Sequence, residues 1–332
     1  TVKEDPSIQP DFRRIMASNI EESSFHKHEI KKKIEIRPGR TICCRKIDLP
    51  TRCSHGTDLN RVNILFVHGS CAASSQFDDL MVELEKELFE QNQTSSEDPA
   101  GFNLSATLYD QLGCAESEHP SEDWGAFSSS EHLLDLEAVT QSILDDDQTS
   151  PLFIVAHSHG VSQAIELLVS SSINQSKVDG LILIGGALKD GPAELAKDGG
   201  HWIFRFLPMF VLRRMQPSLS EGFFQAAVHP LNRERLRSNV LKASNKNDMQ
   251  MCKAFYRQQT FVSSEDAMKI ETKTLVIHGE DDAVLPLSAG EHLHQCLKRS
   301  ESVVVPESSH QVFQEKPTEV ATSVLKFVKA SL

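Results

Sequence analysis

The sequence has 332 residues, enough for one large α/β domain or two smaller ones. With 39% hydrophobic and 24% charged residues, its composition is that of an ordinary globular protein and argues against a largely disordered chain. The formal charge of −13 argues against a nucleic-acid partner, because no dense cationic face is available to displace counterions from phosphates.

Cysteine content and hydropathy indicate the compartment. The seven cysteines are odd in number and no two are spaced as C-x-x-C, which favours reduced thiols. The sequence has no run of the ~18 apolar residues that a membrane-spanning helix needs, and its first residues lack the apolar stretch of a signal peptide. We therefore expect a cytoplasmic protein, with peripheral contact to a membrane or organelle as the alternative.

Most of the chain alternates between strand and helix patterns. Residues 1–30 are polar and predict a flexible N-terminal extension, and alternating residues around Pro38-Gly39 predict a first β-hairpin. The strands predicted after it cover residues 63–69, 104–109, 152–156, 181–184, 274–278 and 302–305. The predicted helices cover residues 77–89, 131–144, 160–170, 289–297 and 317–328. This alternation predicts a mostly parallel sheet with helices on both faces.

The alternation stops between residues 188 and 270, where the pattern is helical and irregular. We interpret this segment as a helical cap that lies over one end of the sheet. The core domain is then expected to consist of residues 31–187 and 271–332.

The most apolar part of the predicted cap runs from Trp202 to Leu212 and is interrupted by Pro208. One interpretation is a helix packed on the core and kinked at the proline. The other is an apolar lid, in which Trp202, Phe206 and Phe210 contact an acyl chain or a membrane surface.

The strongest chemical signal is the pentapeptide Ala156-His157-Ser158-His159-Gly160, between a predicted strand and a predicted helix. A strand-to-helix elbow of this kind holds its central residue in a strained backbone and needs small residues two positions away. It also places the serine oxygen at a helix N-terminus, which favours negative charge. Ser158 is therefore the candidate nucleophile, the alternative being a serine in an ordinary βα turn.

Two later strands end in residues that complete a catalytic triad. His278-Gly279-Glu280-Asp281-Asp282 offers a carboxylate, and His310 offers a base. The order Ser, Asp, His is that of α/β-hydrolases, and each group follows a strand at the edge where parallel sheets place their sites. We predict Asp282 as the acid, with the adjacent Asp281 as its rival.

The pair His157-x-His159 has the spacing of two metal ligands. The serine between the two histidines and the lack of a clear third ligand argue against a metal site. We expect neither a metal nor another cofactor.

Together these motifs resemble the α/β-hydrolase superfamily over about residues 34 to 330. Residues 109–117 look like that family's D-x-x-G-x-G-x-S turn, with Ala115 in place of the second glycine. More narrowly, Pro38-Gly39-Arg40, residues 157–162 and Gly185-Gly186 are similar to the abhydrolase-domain-containing protein 8 subgroup. The resemblance implies an α/β-hydrolase fold with a helical cap.

The resemblance also implies further roles. The backbone N–H groups of Ser70 and His159 are expected to form an oxyanion hole, and Asp190 is a second rival for the acid. After His68-Gly69 the family's usual glycine-containing loop is replaced by residues 70–74, Ser-Cys-Ala-Ala-Ser. A less open oxyanion loop, with weak or absent activity, is the expectation that follows from this departure.

We therefore predict a serine hydrolase in which His310 takes the proton of Ser158 and Asp282 orients His310. The expected substrate is a small-molecule carboxylic ester, an acyl lipid or another apolar ester. Epoxide hydrolases and haloalkane dehalogenases of similar fold are disfavoured, because they need an aspartate nucleophile. The alternative function is an interaction module that kept the fold and is catalytically weak or inactive.

Overall fold

The computed structural model describes residues 29–49, 60–94, 101–120, 123–191 and 201–332. Its strands are β1 (Glu29–Arg37), β2 (Arg40–Leu49), β3 (Asn60–Val67), β4 (Phe102–Asp110), β5 (Leu152–His157), β6 (Gly180–Ile184), β7 (Thr274–Gly279) and β8 (Ser300–Val305). They form one sheet in the order β1-β2-β4-β3-β5-β6-β7-β8. The pairs β1–β2 and β2–β4 are antiparallel and the others parallel, so the predicted mostly parallel sheet is confirmed.

The α-helices are α1 (Asp78–Thr94), α2 (Ser129–Asp146), α3 (His159–Ser170), α4 (His201–Phe206), α5 (Met209–Ala227), α6 (Arg233–Lys246), α7 (Met249–Gln258), α8 (Ser264–Ala267), α9 (Leu287–Cys296), α10 (Val312–Glu315) and α11 (Pro317–Ser331). Two hydrophobic clusters lie on opposite faces of the sheet. One packs α1 and α11 against it, and the other packs α2, α3 and α9. Because both faces are covered, the inner strands β5 and β6 are almost entirely apolar, as the sequence predicts.

The first hairpin is held onto the core by charge. Gly39 takes a left-handed φ of +71° in the turn between β1 and β2. Arg37 and Arg40, on either side of this turn, both hydrogen-bond the buried carboxylate of Asp135 on α2. Strand β1 begins at Glu29, inside the predicted extension, and residues 1–28 lie outside the described part of the chain.

Between β6 and β7, the described residues form helices α4 to α8 and contain no strand. We refer to residues 188–270 as the insertion. Pro208 separates α4 from α5, whereas Pro217 lies inside α5. A cluster rich in sulfur and aromatic side chains joins α7 to the loops after β3 and β4; its buried members are Cys114, Phe127, Met249, Met251, Cys252, Ala254 and Phe255. We call it the sulfur-aromatic cluster.

No helix in the described ranges combines the length and apolarity that crossing a bilayer requires.

Candidate active site

Ser158 lies in a strained turn between β5 and α3. Its φ of 54° and ψ of −123° are unusual for a residue with a side chain. A methyl group added to Gly160 would lie 2.8 Å from the carbonyl oxygen of Val67, so the glycine lets α3 begin directly against the end of β3. The side chain of Ser158 makes no capping hydrogen bond to α3 and is half-buried, which leaves its hydroxyl available for other partners.

His310 lies between Ser158 and Asp282. Its Nε2 is 3.0 Å from Ser158 Oγ, and its Nδ1 is 2.8 Å from Asp282 Oδ2. Because an ionised carboxylate can only accept, Nδ1–H donates to Asp282 and Nε2 is left to accept the proton of the serine hydroxyl. This is the tautomer that a general base at Ser158 requires.

Asp282 is held as an ionised carboxylate. Burial raises the pKa of this group, but the His310 imidazole and its hydrogen bond, His278 and the Leu285 amide together bring the pKa below its ordinary value. Oδ1 accepts hydrogen bonds of 2.8 Å from the N–H groups of Val284 and Leu285, which fix the orientation of the carboxylate.

The two rival carboxylates lie elsewhere. The Asp281 side chain is exposed, and its Oδ2 is 3.5 Å from Nε2 of His229. Asp190 accepts hydrogen bonds from the backbone N–H and the hydroxyl of Ser264, at the start of α8. The structure therefore pairs His310 with Asp282.

The two expected oxyanion residues flank Ser158. A methyl group on Gly69 would lie 2.9 Å from Ser158 Cβ, so the backbone that enters Ser70 runs directly against the serine. The Ser70 hydroxyl donates to Gln259 Oε1 at 3.1 Å, and the His159 ring donates from Nε2 to the Thr260 carbonyl at 2.9 Å. Both residues are thus attached through their side chains to one short stretch of the insertion, residues 259 and 260.

His68 orients the loop that leads to Ser70. The Gln111 N–H donates to His68 Nε2 at 2.9 Å, so the ring carries its proton on Nδ1 and donates it to the Gly69 carbonyl at 2.8 Å. Burial lowers the pKa of His68, which keeps the ring in this neutral form.

His157 contacts the catalytic histidine, a role that its position beside the nucleophile did not reveal. Its Nε2 donates to the backbone carbonyl of His310 at 3.0 Å, and the centroids of the two rings are 4.8 Å apart. Burial keeps the pKa of His157 well below its ordinary value, so the ring is neutral. The His157 and His159 rings bind different carbonyls, and within the described ranges no group of three or more His, Cys, Asp or Glu is placed to hold a metal.

The expected lid residues face away from the core. The side chains of Phe206 and Phe210 are 73% and 75% exposed, so neither ring packs on the core, and their role in a lid stays a prediction. The physical reason is the break at Pro208: it sets the phase of the two helices so that Phe204 stacks on Tyr256, with ring centroids 4.6 Å apart, and Met209 packs on the sulfur-aromatic cluster. The side chain of Trp202 lies outside the described part of the structure.

Where the chain departs from the family's glycines, its backbone keeps a left-handed conformation. Cys71 has a φ of 49° and Ala115 a φ of 44°. A side chain in this region costs about 1–2 kcal/mol, whereas a new glycine costs about 0.4–1 kcal/mol through the entropy of the unfolded chain. The backbone is thus strained at both positions.

We expect Ala115→Gly to raise the free energy of unfolding by up to about 1 kcal/mol, because relief of strain exceeds the added entropy of the unfolded chain. Urea unfolding followed by circular dichroism measures this. The control, Ala138→Gly inside α2, should lose about 1 kcal/mol. A similar loss in Ala115→Gly would show that the turn is not strained.

Comparison with known proteins identifies the family to which the chain belongs. A family model described as Hydrolase_4, serine aminopeptidase S33, matches residues 59–317. The AB hydrolase superfamily protein YisY of Bacillus subtilis (strain 168) is 23% identical over 272 residues, which cover 80% of this chain and 90% of YisY.

Solved structures are similar in fold. A bromoperoxidase from Bacillus anthracis has a TM-score of 0.68 at 15% identity, covering 90% of this chain and 100% of its own. The esterase EaEST from Exiguobacterium antarcticum has a TM-score of 0.65 at 17% identity, with coverage of 90% and 100%. These likenesses show the α/β-hydrolase fold, and the narrower subgroup resemblance stays a prediction.

Proposed function

Because the chain belongs to the Hydrolase_4 (serine aminopeptidase S33) family of α/β-hydrolases, we propose that it cleaves carboxylic esters through an acyl-enzyme on Ser158. The observation that carries the proposal is the continuous hydrogen-bonded path from Ser158 Oγ through His310 to Asp282. An interaction module has no need to hold these three groups in line, whereas a serine nucleophile does.

The proposed reaction has two stages. In the first, Ser158 Oγ attacks the ester carbonyl while His310 Nε2 takes its proton, and His310 then gives that proton to the departing alcohol. In the second, His310 takes a proton from water as the water attacks the acyl-enzyme, and it then returns that proton to Ser158 Oγ as the acid is released. Asp282 stabilises the imidazolium in both stages, and the N–H groups of Ser70 and His159 hold the oxyanion.

We further propose that the acyl group is apolar. Cys71 follows the oxyanion residue Ser70 directly and packs on the sulfur-aromatic cluster. Its Sγ is 3.9 Å from the sulfur of Met251, and Phe127 and Phe255 belong to the same cluster. Unbranched methionine side chains rearrange easily around hydrocarbon, so this side of the site suits an alkyl or aryl acyl chain.

A fluorophosphonate probe tests the nucleophile. We expect the wild-type protein to be labelled, Ser158→Ala to show no labelling, and the exposed-serine control Ser218→Ala to be labelled like wild type. Equal absence of labelling in all three proteins would favour the interaction module.

Substrate panels test the class. p-Nitrophenyl esters of rising chain length, run beside aminoacyl p-nitroanilides, should show hydrolysis of the esters and a preference for longer acyl chains. Faster cleavage of the anilides would contradict the ester proposal, and a flat chain-length profile would contradict the apolar acyl site.

A further inference from the structure

The insertion carries a charge opposite to that of the rest of the protein. Residues 201–246 contain eight Arg or Lys and two Glu, a formal charge of +6. Because the whole chain carries −13, the remaining residues carry −19. This part of the insertion is therefore a local cationic surface that the net charge conceals.

The most exposed large hydrophobic side chains of the described residues lie on this cationic part. They are Phe206 at the end of α4 and Phe210 in the first turn of α5, 73% and 75% exposed. Arg213 and Arg214 follow Phe210 by three and four positions and are exposed, so they lie beside it on the helix surface. Within the described ranges neither arginine forms an ion pair, whereas Arg237 on α6 is paired with Glu221. We call these four residues the Phe-Arg corner.

Contacts with α7 and with the buried side of α5 hold the Phe-Arg corner in place. The buried ammonium group of Lys253 donates to the Leu207 carbonyl at 2.6 Å, where α4 ends. Phe204 stacks on Tyr256, and Leu212 is fully buried one turn into α5. The two exposed rings therefore project from a supported turn and are not the ends of fraying helices.

We propose that the Phe-Arg corner docks onto the surface of a bilayer that contains anionic lipid. Insertion of phenyl rings at the boundary between headgroups and acyl chains is favourable, and arginines beside them pair with lipid phosphates or carboxylates. Charge favours this occupant over a symmetric dimer, because in a two-fold contact the corner would face the arginines of its own copy. The inner side of α4 and α5 packs on the sulfur-aromatic cluster, so docking would turn the candidate active site toward the lipid.

Vesicle co-sedimentation tests the proposal. Ser158→Ala serves as the background, so that turnover cannot alter the lipid and binding is measured independently of the proposed function. The vesicles are phosphatidylcholine alone, or phosphatidylcholine with about 30 mol% phosphatidylserine. We expect binding to the anionic vesicles to be at least about tenfold tighter and to weaken as salt is raised.

Two double variants and a matched control locate the surface. Arg213→Gln with Arg214→Gln should weaken binding about 25-fold, about fivefold for each arginine, and reduce its salt dependence. Phe206→Ser with Phe210→Ser should weaken binding about tenfold or more. The control pair, Val304→Ser with Arg299→Gln, changes exposed residues at the β8 edge of the sheet and should bind like the background.

Three results would overturn the proposal. They are no binding to anionic vesicles by the Ser158→Ala protein, equal binding by all variants, and a fall in sedimentation coefficient of the Phe206→Ser, Phe210→Ser protein without lipid. The last would mean that the corner joins two copies of the chain.

Discussion

Asp282→Asn is expected to lower kcat for ester hydrolysis by about 10,000-fold while the protein stays folded. An amide in this place can turn its NH₂ toward His310, and the ring then protonates on Nε2 and cannot accept the proton of Ser158. The Oδ1 that accepts from Val284 and Leu285 would still have an oxygen counterpart, so the loop after β7 keeps its hydrogen bonds. Steady-state kinetics on a p-nitrophenyl ester measure the loss.

The rival acids provide the controls. Asp281→Asn should leave kcat within about twofold of wild type, because its carboxylate is exposed and faces His229. Asp190→Ala removes the acceptor of both hydrogen bonds at the start of α8 and should lower stability more than kcat. A large loss of kcat in Asp281→Asn with a small one in Asp282→Asn would contradict the pairing described here.

Mild acid should destabilise the protein. Five buried histidines have pKa values that burial lowers below the ordinary value: His68, His132, His157, His159 and His278. As the pH falls through about 6.5, these imidazoles take up protons in the unfolded chain but not in the folded protein. The unfolded state then binds more protons, so the free energy of unfolding decreases with falling pH.

The size of this loss of stability can be estimated from two of the five histidines. The pKa of His132 is lowered to about 3 and that of His159 to about 4. At pH 5 each therefore lowers the free energy of unfolding by about 2 kcal/mol relative to pH 8. Since a typical domain is stable by about 5–15 kcal/mol, these two histidines together, at about 4 kcal/mol, should cause a clear loss of stability between pH 8 and pH 5. Far-UV circular dichroism across pH 8 to about 4 measures it, and unchanged stability down to about pH 4 would contradict this prediction.

His132→Leu separates protonation from packing. Both ring nitrogens of His132 are buried without a hydrogen-bond partner among the described residues. Removing the ring should raise the free energy of unfolding at pH 5 by about 2 kcal/mol more than at pH 8. The exposed-histidine control, His119→Gln, should change both values equally, and a pH-independent effect of His132→Leu would rule out the mechanism.

The sheet and the triad could be predicted from the sequence because each rests on a local signal. A strand covered on both faces must be apolar throughout, as residues 152–156 are, and an elbow needs small residues at positions 156 and 160. Choosing Asp282 over Asp281 could not be done locally, because the choice depends on which carboxylate a histidine 28 positions away can reach.

Other features of the site depend on contacts between distant parts of the chain. His157 and the His310 carbonyl that it binds lie 153 positions apart, and no spacing rule links them. The outward direction of Phe206 and Phe210 depends on how the break at Pro208 sets the phase of α4 and α5. Helical periodicity predicts which residues share the apolar face of a helix, but it does not predict what that face packs against.

The attachment of Ser70 and His159 to Gln259 and Thr260 has a consequence for kinetics. A shift of the insertion by about 1 Å would misalign both proposed oxyanion donors at once. Substitutions far from Ser158, on the helices of the insertion, should therefore change kcat together with KM. In the proposed enzyme, the position of the insertion would thus affect both the binding of the substrate and the rate of its cleavage.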